Sequence, residues 1–416
     1  MKHADIQKLH DAGLITDEQR QKIIDQFKLK EDGGNFLTIV SIIGAVLIAA
    51  GIALLISAHW NEIPRGVKIA GGLALMLGFH TGGWWLREGG GDASSPTLSA
   101  TGALQSRGKY RKTGEALHLI GSCLFLANIA LLGQIYNIIS RPPNAFLLWW
   151  IGIAALPWLL RSKPQHVLLL LAFGIWFGLE VNERGSWIYC GDDERQVLLY
   201  ALLGLAWLGA GWLLRRGAFA GFAGVTEKFG LLAFLIFVFP LTWKDFFGDW
   251  ENSEIHQWVF PALGVLALLL PAIGLKNLTA LTRQWRWTWF AALLGMVVFM
   301  VTVWFGCWQL NHAGLHYYYW ADSWGYLVAT IALFVFCLLQ IQIGLQERSP
   351  FLVNLGVVFI ALDIIAAYCD LLGSMARTGL MFVMSGVFLI LFGVYLEKKR
   401  RALMQQIKSQ TTGAKL

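Results

Sequence analysis

The sequence predicts an all-α protein: a polytopic bundle of about 12 transmembrane helices with a small N-terminal helix pair. Hydrophobic residues make up 56% of the 416 residues and charged residues 14%, whereas soluble domains average about 45–50% and about 25%. The mean hydropathy is +0.56. Twelve segments are mostly apolar over roughly the 20 residues that a helix needs to cross a bilayer. This composition excludes a soluble globular protein.

Residues 1–35 precede the first apolar segment and are predicted to form a cytoplasmic pair of short helices. Thr16 and Gln19 have the spacing of a capping box at the start of the second helix. Two short helices cannot bury a core alone, so we expect this unit to bind the membrane domain, a copy of itself or a protein partner. The transmembrane domain is expected over residues 36–396, and a basic cytoplasmic tail over 397–416.

The twelve predicted spans follow one another with short connections, so most neighbours should be antiparallel. The fifth and seventh are short, and ten or eleven spans remain an alternative. The spans are expected at about 37–58, 67–86, 116–138, 145–161, 166–181, 196–214, 229–243, 257–275, 287–307, 323–345, 351–370 and 376–396.

The distribution of basic residues predicts the orientation of the chain. With the N-terminus inside, 26 of the 33 Lys and Arg residues fall in cytoplasmic segments. Loops that stay in the cytoplasm are enriched in these residues. Removing one span would invert everything after it, so we expect an even number of spans and both termini in the cytoplasm.

The net charge of +7 could indicate nucleic-acid binding. We exclude that class because the basic residues lie in short loops and at the chain ends. Membrane lipids are the expected partner instead, through anionic head groups at the cytoplasmic face. The basic clusters are Arg107, Lys109, Arg111 and Lys112, in the Gly-rich loop 88–112, and Lys398, Lys399, Arg400 and Arg401.

Ionisable residues inside spans are costly and are candidates for function. Glu115, His118 and Ser122 share one face of the third span, near its cytoplasmic end. His80 falls at a similar depth in the second span, so it could approach His118. A functional interpretation is a proton or cation site. A structural interpretation is an interfacial carboxylate at a helix N-terminus with hydrogen-bonded histidines.

Asp363 and Asp370 lie seven residues apart on one face of the eleventh span. Asp370 is expected at its outer end, where a pair with Arg377 would close a helical hairpin. Asp363 falls deeper in the membrane. An uncompensated carboxyl there could bind a proton, so Asp363 is a candidate for proton coupling.

Motifs for other chemistry are absent from the sequence. It has no Walker A motif, no Cys/His metal spacing and no G-x-S-x-G or H-E-x-x-H motif. We therefore expect no metal and no cofactor. Five cysteines do not make a disulfide framework, and a bridge between Cys190 and Cys307 stays open.

Four stretches together resemble the DUF2157 family of predicted bacterial membrane proteins. The resemblance implies a multi-pass protein of the bacterial inner membrane, but no particular reaction. It covers most of residues 1–160 and the last two spans. The stretches are AGLITDEQ (12–19), SAHWNEIP (57–64), EALHLIGSCLFLANIALLGQIYNI (115–138) and YCDLLGSMARTG (368–379).

Polar residues of these stretches fall at the outer ends of three spans. We therefore predict an outward-facing polar cluster between three helical hairpins. Its candidate members are His59, Asn61, Glu62, Gln134, Tyr136, Asn137, Asp370 and Arg377.

Three functions are consistent with this pattern. The first is a transporter or flippase-like protein for a small polar or amphiphilic substrate, linked to protons through His80, Glu115, His118 and Asp363. The second is a non-catalytic scaffold or regulatory subunit of a cell-envelope complex. The third is an intramembrane enzyme that modifies lipid at the outer cluster.

Overall fold

The computed structural model is built almost entirely of helices. It describes residues 62–89, 97–98, 104–105, 111–191, 193–243, 246, 258–312 and 325–373, with isolated positions at 16, 19, 386–387, 390, 394 and 398. The chain divides after Gly71 into two units. Of the first unit the structure describes positions 16, 19 and 62–71.

Most of the described helices follow one another with short connections; the longer ones lie before α2, α8 and α10. A π-helical turn, Trp85–Gly89, continues the first helix, and 3-10 turns at Phe239–Thr242 and Leu275–Asn277 extend the seventh and eighth. The helices are α1 (Arg65–Trp84), α2 (Arg111–Tyr136), α3 (Pro142–Ile153), α4 (Leu156–Leu159), α5 (Lys163–Asn182), α6 (Asp193–Leu214), α7 (Ala220–Val238), α8 (Val259–Gly274), α9 (Arg283–His312), α10 (Tyr326–Gln346) and α11 (Pro350–Gly373).

Within the described residues, eight helices are long and apolar enough to cross a membrane. They are α2 and α5 to α11, counting the 3-10 turns after α7 and α8. The first predicted span lies outside the described residues, as does the twelfth except for positions 386–387, 390 and 394. The second, α1, falls short of this apolarity because six of its 20 residues are glycine and it carries Arg65 and Lys68. The count of about 12 therefore stays a prediction.

The predicted fourth span is wrong as a single helix. It consists of α3 and α4, which are 12 and 4 residues long. Pro157 near the start of α4 has no backbone N–H to donate to the preceding turn, and the helix breaks at Ala154 and Ala155, just before it. Arg141, before α3, contacts Glu180 near the end of α5, whereas Ser162, after α4, directly precedes α5. The segment thus runs from one end of α5 to the other, as a crossing would.

The fifth and seventh predicted spans are longer than the sequence suggested. α5 has 20 residues, and α7 with its 3-10 turn extends over Ala220–Thr242, 23 residues. Both are long enough for about 30 Å of hydrocarbon. The seventh was underestimated because Glu227 and Lys228 interrupt its apolar pattern.

The main core is formed by the helices from α5 to α11, and a smaller cluster joins α3 to α5. Glycine lets the backbones of α6 and α7 approach closely. A Cβ added at Gly204 would lie 2.5 Å from the Phe234 nitrogen, and one at Gly230 would lie 2.4 Å from the Leu208 nitrogen. Helices in membranes associate through such small residues because lipid offers no hydrophobic gain.

Two further local features bear on the sequence predictions. The capping box forms, since the Gln19 N–H donates to Thr16 Oγ1 at 3.4 Å and the Thr16 N–H donates to Gln19 Oε1 at 3.1 Å. The other residues of the N-terminal helix pair lie outside the described residues. In the loop 88–112, β1 (Thr97–Leu98) and β2 (Leu104–Gln105) pair antiparallel.

Candidate functional site

The structure brings the two candidate histidines together. The Nδ1 atoms of His80 in α1 and His118 in α2 lie 3.2 Å apart. Glycine makes room for each ring on the facing helix. A Cβ added at Gly121 would lie 2.8 Å from the His80 ring, and one at Gly83 would lie 3.1 Å from the His118 ring. The pair is therefore held by close packing of α1 on α2.

Polar groups continue from this pair toward α5. His118 and Ser122 are buried, and the Ser122 hydroxyl lies 3.0 Å from Gln165 Oε1. The Trp149 indole donates to the Ser122 carbonyl at 2.7 Å. Among the described residues, His118 Nε2 and Gln165 Nε2 are buried without a hydrogen-bond partner. Glu115 is half-buried one turn before His118 and acts on it electrostatically.

Asp363 lies in a very different environment, within α11. Its side chain is 1% exposed, and within the described residues neither carboxyl oxygen has a hydrogen-bond partner. Cys337 of α10 is close enough to interact with it electrostatically. The helices α10 and α11 pack tightly at this level, as a Cβ added at Gly356 would lie only 2.7 Å from the Ile341 side chain. Among the described residues, an unpaired carboxyl is thus enclosed in the α10–α11 hairpin.

The outer polar cluster is only partly described. Gln134, Tyr136 and Asn137 are all exposed at the end of α2, and Asn137 ends the helix with a φ of 47°. Glu62 is exposed in the turn before α1. His59, Asn61, Arg377 and the side chain of Asp370 lie outside the described residues. The cluster stays a prediction.

Sequence reasoning missed a partly buried ion triad at the ends of three helices. Arg215, directly after α6, donates Nε and Nη2 to the two carboxylate oxygens of Glu227 at 2.6 and 2.7 Å. It also donates Nη1 to Glu347, after α10, at 3.1 Å. The side chains of Arg215, Glu227 and Glu347 are 26%, 15% and 11% exposed. Burial alone would lower the pKa of Arg215, but hydrogen bonds to both glutamates outweigh it and raise the pKa.

The ion triad lines a cavity of about 260 Å³. Trp212 and Trp289 form part of its wall, and Lys228 joins the three charged residues. The Lys228 Nζ also lies 5.4 Å from the centre of the Phe351 ring. Arg215 lies at a helix end and was counted only among the basic residues that predict orientation, and Glu227 and Glu347 were not considered. The signal that could have found them is a carboxylate, Glu227, inside an otherwise apolar run.

The C-terminal end of α5 carries another buried carboxylate, Glu180. Glu180 accepts from Arg141 at 2.6 Å and from the Ser186 hydroxyl at 2.7 Å. Glu180 is buried, whereas Arg141 is exposed. These contacts tie the loop after α5 to the start of α3.

The cysteines and metal-binding groups give no catalytic centre in the part of the chain that the structure describes. Cys190 is a buried thiol whose pKa burial raises to about 12, which disfavours the reactive thiolate. The side chain of Cys307 lies outside the described residues. Over the same described ranges, no group of three His, Cys, Asp or Glu residues could hold a metal ion.

Comparison with known proteins supports the membrane assignment but gives no reaction. No curated protein and no solved structure matches the chain. A family model described as a predicted membrane protein matches residues 7–166, which include the His80–His118 pair. The resemblance noted in the sequence is confirmed over this range, and it stays a prediction for the last two spans. Residues 7–166 of this chain match the DUF2157 family of predicted membrane proteins.

Proposed function

We propose that this membrane protein is a proton-linked transporter of a small polar or amphiphilic substrate, with Asp363 as the proton-binding group. The observation that carries the proposal is the enclosed Asp363 carboxyl, which has no hydrogen-bond partner among the described residues. An ionised carboxylate without a partner is costly inside a membrane protein. Binding a proton removes the unpaired charge, so proton uptake and release would change the local free energy strongly.

The cavity at the ion triad supports a substrate site of limited size. Its volume of about 260 Å³ suits a small molecule. Lys228 offers a cation to an anionic group, whereas Arg215 is already paired with Glu227 and Glu347. The indole rings of Trp212 and Trp289 offer apolar contact beside these charges. This combination favours a small polar or amphiphilic substrate.

A scaffold or regulatory subunit is the second candidate, and the histidine pair favours it. His80 and His118 each pack against a glycine of the opposite helix, and such packing fixes α1 on α2. On this alternative the buried polar groups join helices and move no proton.

Proton flux into liposomes distinguishes the two candidates. The full chain would be reconstituted, and flux measured under an imposed pH gradient for wild type, Asp363→Asn and His80→Ala. Glu183→Gln serves as the control, because it removes a partly exposed carboxylate that belongs to no candidate site. The transporter proposal predicts flux in wild type and Glu183→Gln that is lost in Asp363→Asn. Equal flux in all four forms, or none in any, would favour the scaffold.

A further inference from the structure

A second cavity, of about 430 Å³, lies where α4, the start of α5 and the start of α7 meet. Arg161 and Lys163 line it, together with Trp158, Phe219 and Phe222. It is separate from the ion triad and shares no lining residue with that cavity. None of the transport steps proposed above uses it.

The charge of this cavity is uniformly positive. Arg161 and Lys163 are both exposed, and no carboxylate is among the residues that line the cavity. Neither side chain has an ion pair or hydrogen bond within the described part of the chain. This contrasts with Arg215, which two glutamates neutralise. The cavity is therefore suited to an anion.

The position of the cavity along the helices matches the depth of lipid head groups. The apolar spans of α5 and α7 begin at Lys163 and Ala220, so the cavity lies where the hydrocarbon-facing segments start. Trp158 and Phe219 are 43% and 46% exposed, with ring centres 5.7 Å apart. Aromatic rings beside cations are typical of the membrane interface.

We infer that this cavity binds an anionic phospholipid. Arg161 and Lys163 bind the head-group phosphate, and Trp158 and Phe219 contact the glycerol and the first part of an acyl chain. Free phosphate would use the two cations but would gain nothing from the exposed aromatic rings. Basic cavities between transmembrane helices bind anionic head groups in this way. The inference is independent of whether the protein transports anything.

Lipid binding to the purified full chain tests this site. The detergent-solubilised protein would be titrated with short-chain phosphatidylglycerol, short-chain phosphatidylcholine and inorganic phosphate, and retained ligand counted by native mass spectrometry. Wild type should retain phosphatidylglycerol in preference to the other two. Arg161→Gln/Lys163→Gln should weaken phosphatidylglycerol binding about 30-fold, since each basic residue contributes about a factor of five.

A matched control removes the same charge elsewhere. Arg184→Gln/Lys276→Gln alters two exposed cations outside the cavity and should leave phosphatidylglycerol binding within about twofold. If the Arg161/Lys163 double variant aggregates, the single variants replace it, each with an expected loss of about fivefold. Equal loss in the control pair, equal binding of phosphatidylcholine, or binding of inorganic phosphate as tight as that of the lipid would overturn the proposal.

Discussion

Glu227 and Asp363 are both carboxyl groups buried in the same helical bundle, yet their surroundings are opposite. Glu227 and Glu347 both pair with Arg215, and Arg215 donates two short hydrogen bonds to Glu227. Asp363 is more deeply buried and has no hydrogen-bond partner among the described residues. The first arrangement fixes a charge at helix ends. The second leaves a carboxyl that no described side chain neutralises.

The difference indicates where the protein uses polar groups for stability and where for function. A charge held by two short hydrogen bonds exchanges its partner only at high cost, because removal leaves the other charges buried. A carboxyl without a partner gives no such benefit to the fold. Its presence in α11 therefore favours a role in binding a proton.

Arg215→Met should have the largest effect of the substitutions that test this comparison. It leaves Glu227 and Glu347 partly buried without their cation, so we expect the free energy of unfolding to fall by about 3 kcal/mol. Unfolding in mixed detergent micelles would measure it, with the exposed Arg184→Gln as the control. A loss below about 1 kcal/mol would show that the ion triad does not stabilise the bundle.

Gly121→Ala should have a smaller but clear effect, because the histidine pair depends on close packing. The added methyl would lie 2.8 Å from the His80 ring, and such overpacking costs about 2 kcal/mol. Gly133→Ala in the same helix is the control, since nothing lies within 4 Å of its Cβ position. Adding His80→Ala to Gly121→Ala should recover part of the loss; no recovery would mean that the clash lies elsewhere.

Asp363→Leu should have the smallest effect, and of opposite sign. Replacing an unpaired buried carboxyl by an apolar group of similar size should raise the free energy of unfolding by about 1 kcal/mol. The same unfolding assay measures it, beside Arg215→Met. A loss of stability as large as that of Arg215→Met would show that Asp363 has a partner in the native protein.

Composition and periodicity were enough to predict much of the helical fold. Long apolar runs predict long helices, and eight of them meet the requirement for a span within the described residues. The predicted helix boundaries were wrong where one or two residues interrupt an apolar segment. Pro157 breaks the fourth segment, and Glu227 with Lys228 conceals the first two turns of α7.

A contact between candidate residues was predictable only where two helices adjacent in the sequence, α1 and α2, bring the residues together. Depth along the helices indicated that His80 and His118 could meet, and their Nδ1 atoms lie 3.2 Å apart. The contact between Arg215 and Glu347 spans 132 positions of the chain. Such pairing depends on how α6, α7 and α10 pack, which no local pattern encodes. The isolation of Asp363 likewise depends on which helices surround it.

Infrared difference spectroscopy of the reconstituted protein tests the central claim most directly. The carbonyl stretch of a protonated carboxyl would be followed from acidic to alkaline pH in wild type and in Asp363→Asn, with Glu183→Gln as the control. If Asp363 binds and releases a proton, wild type and the control show a band that is lost at alkaline pH and that Asp363→Asn lacks. An identical pH response in wild type and Asp363→Asn would contradict the claim.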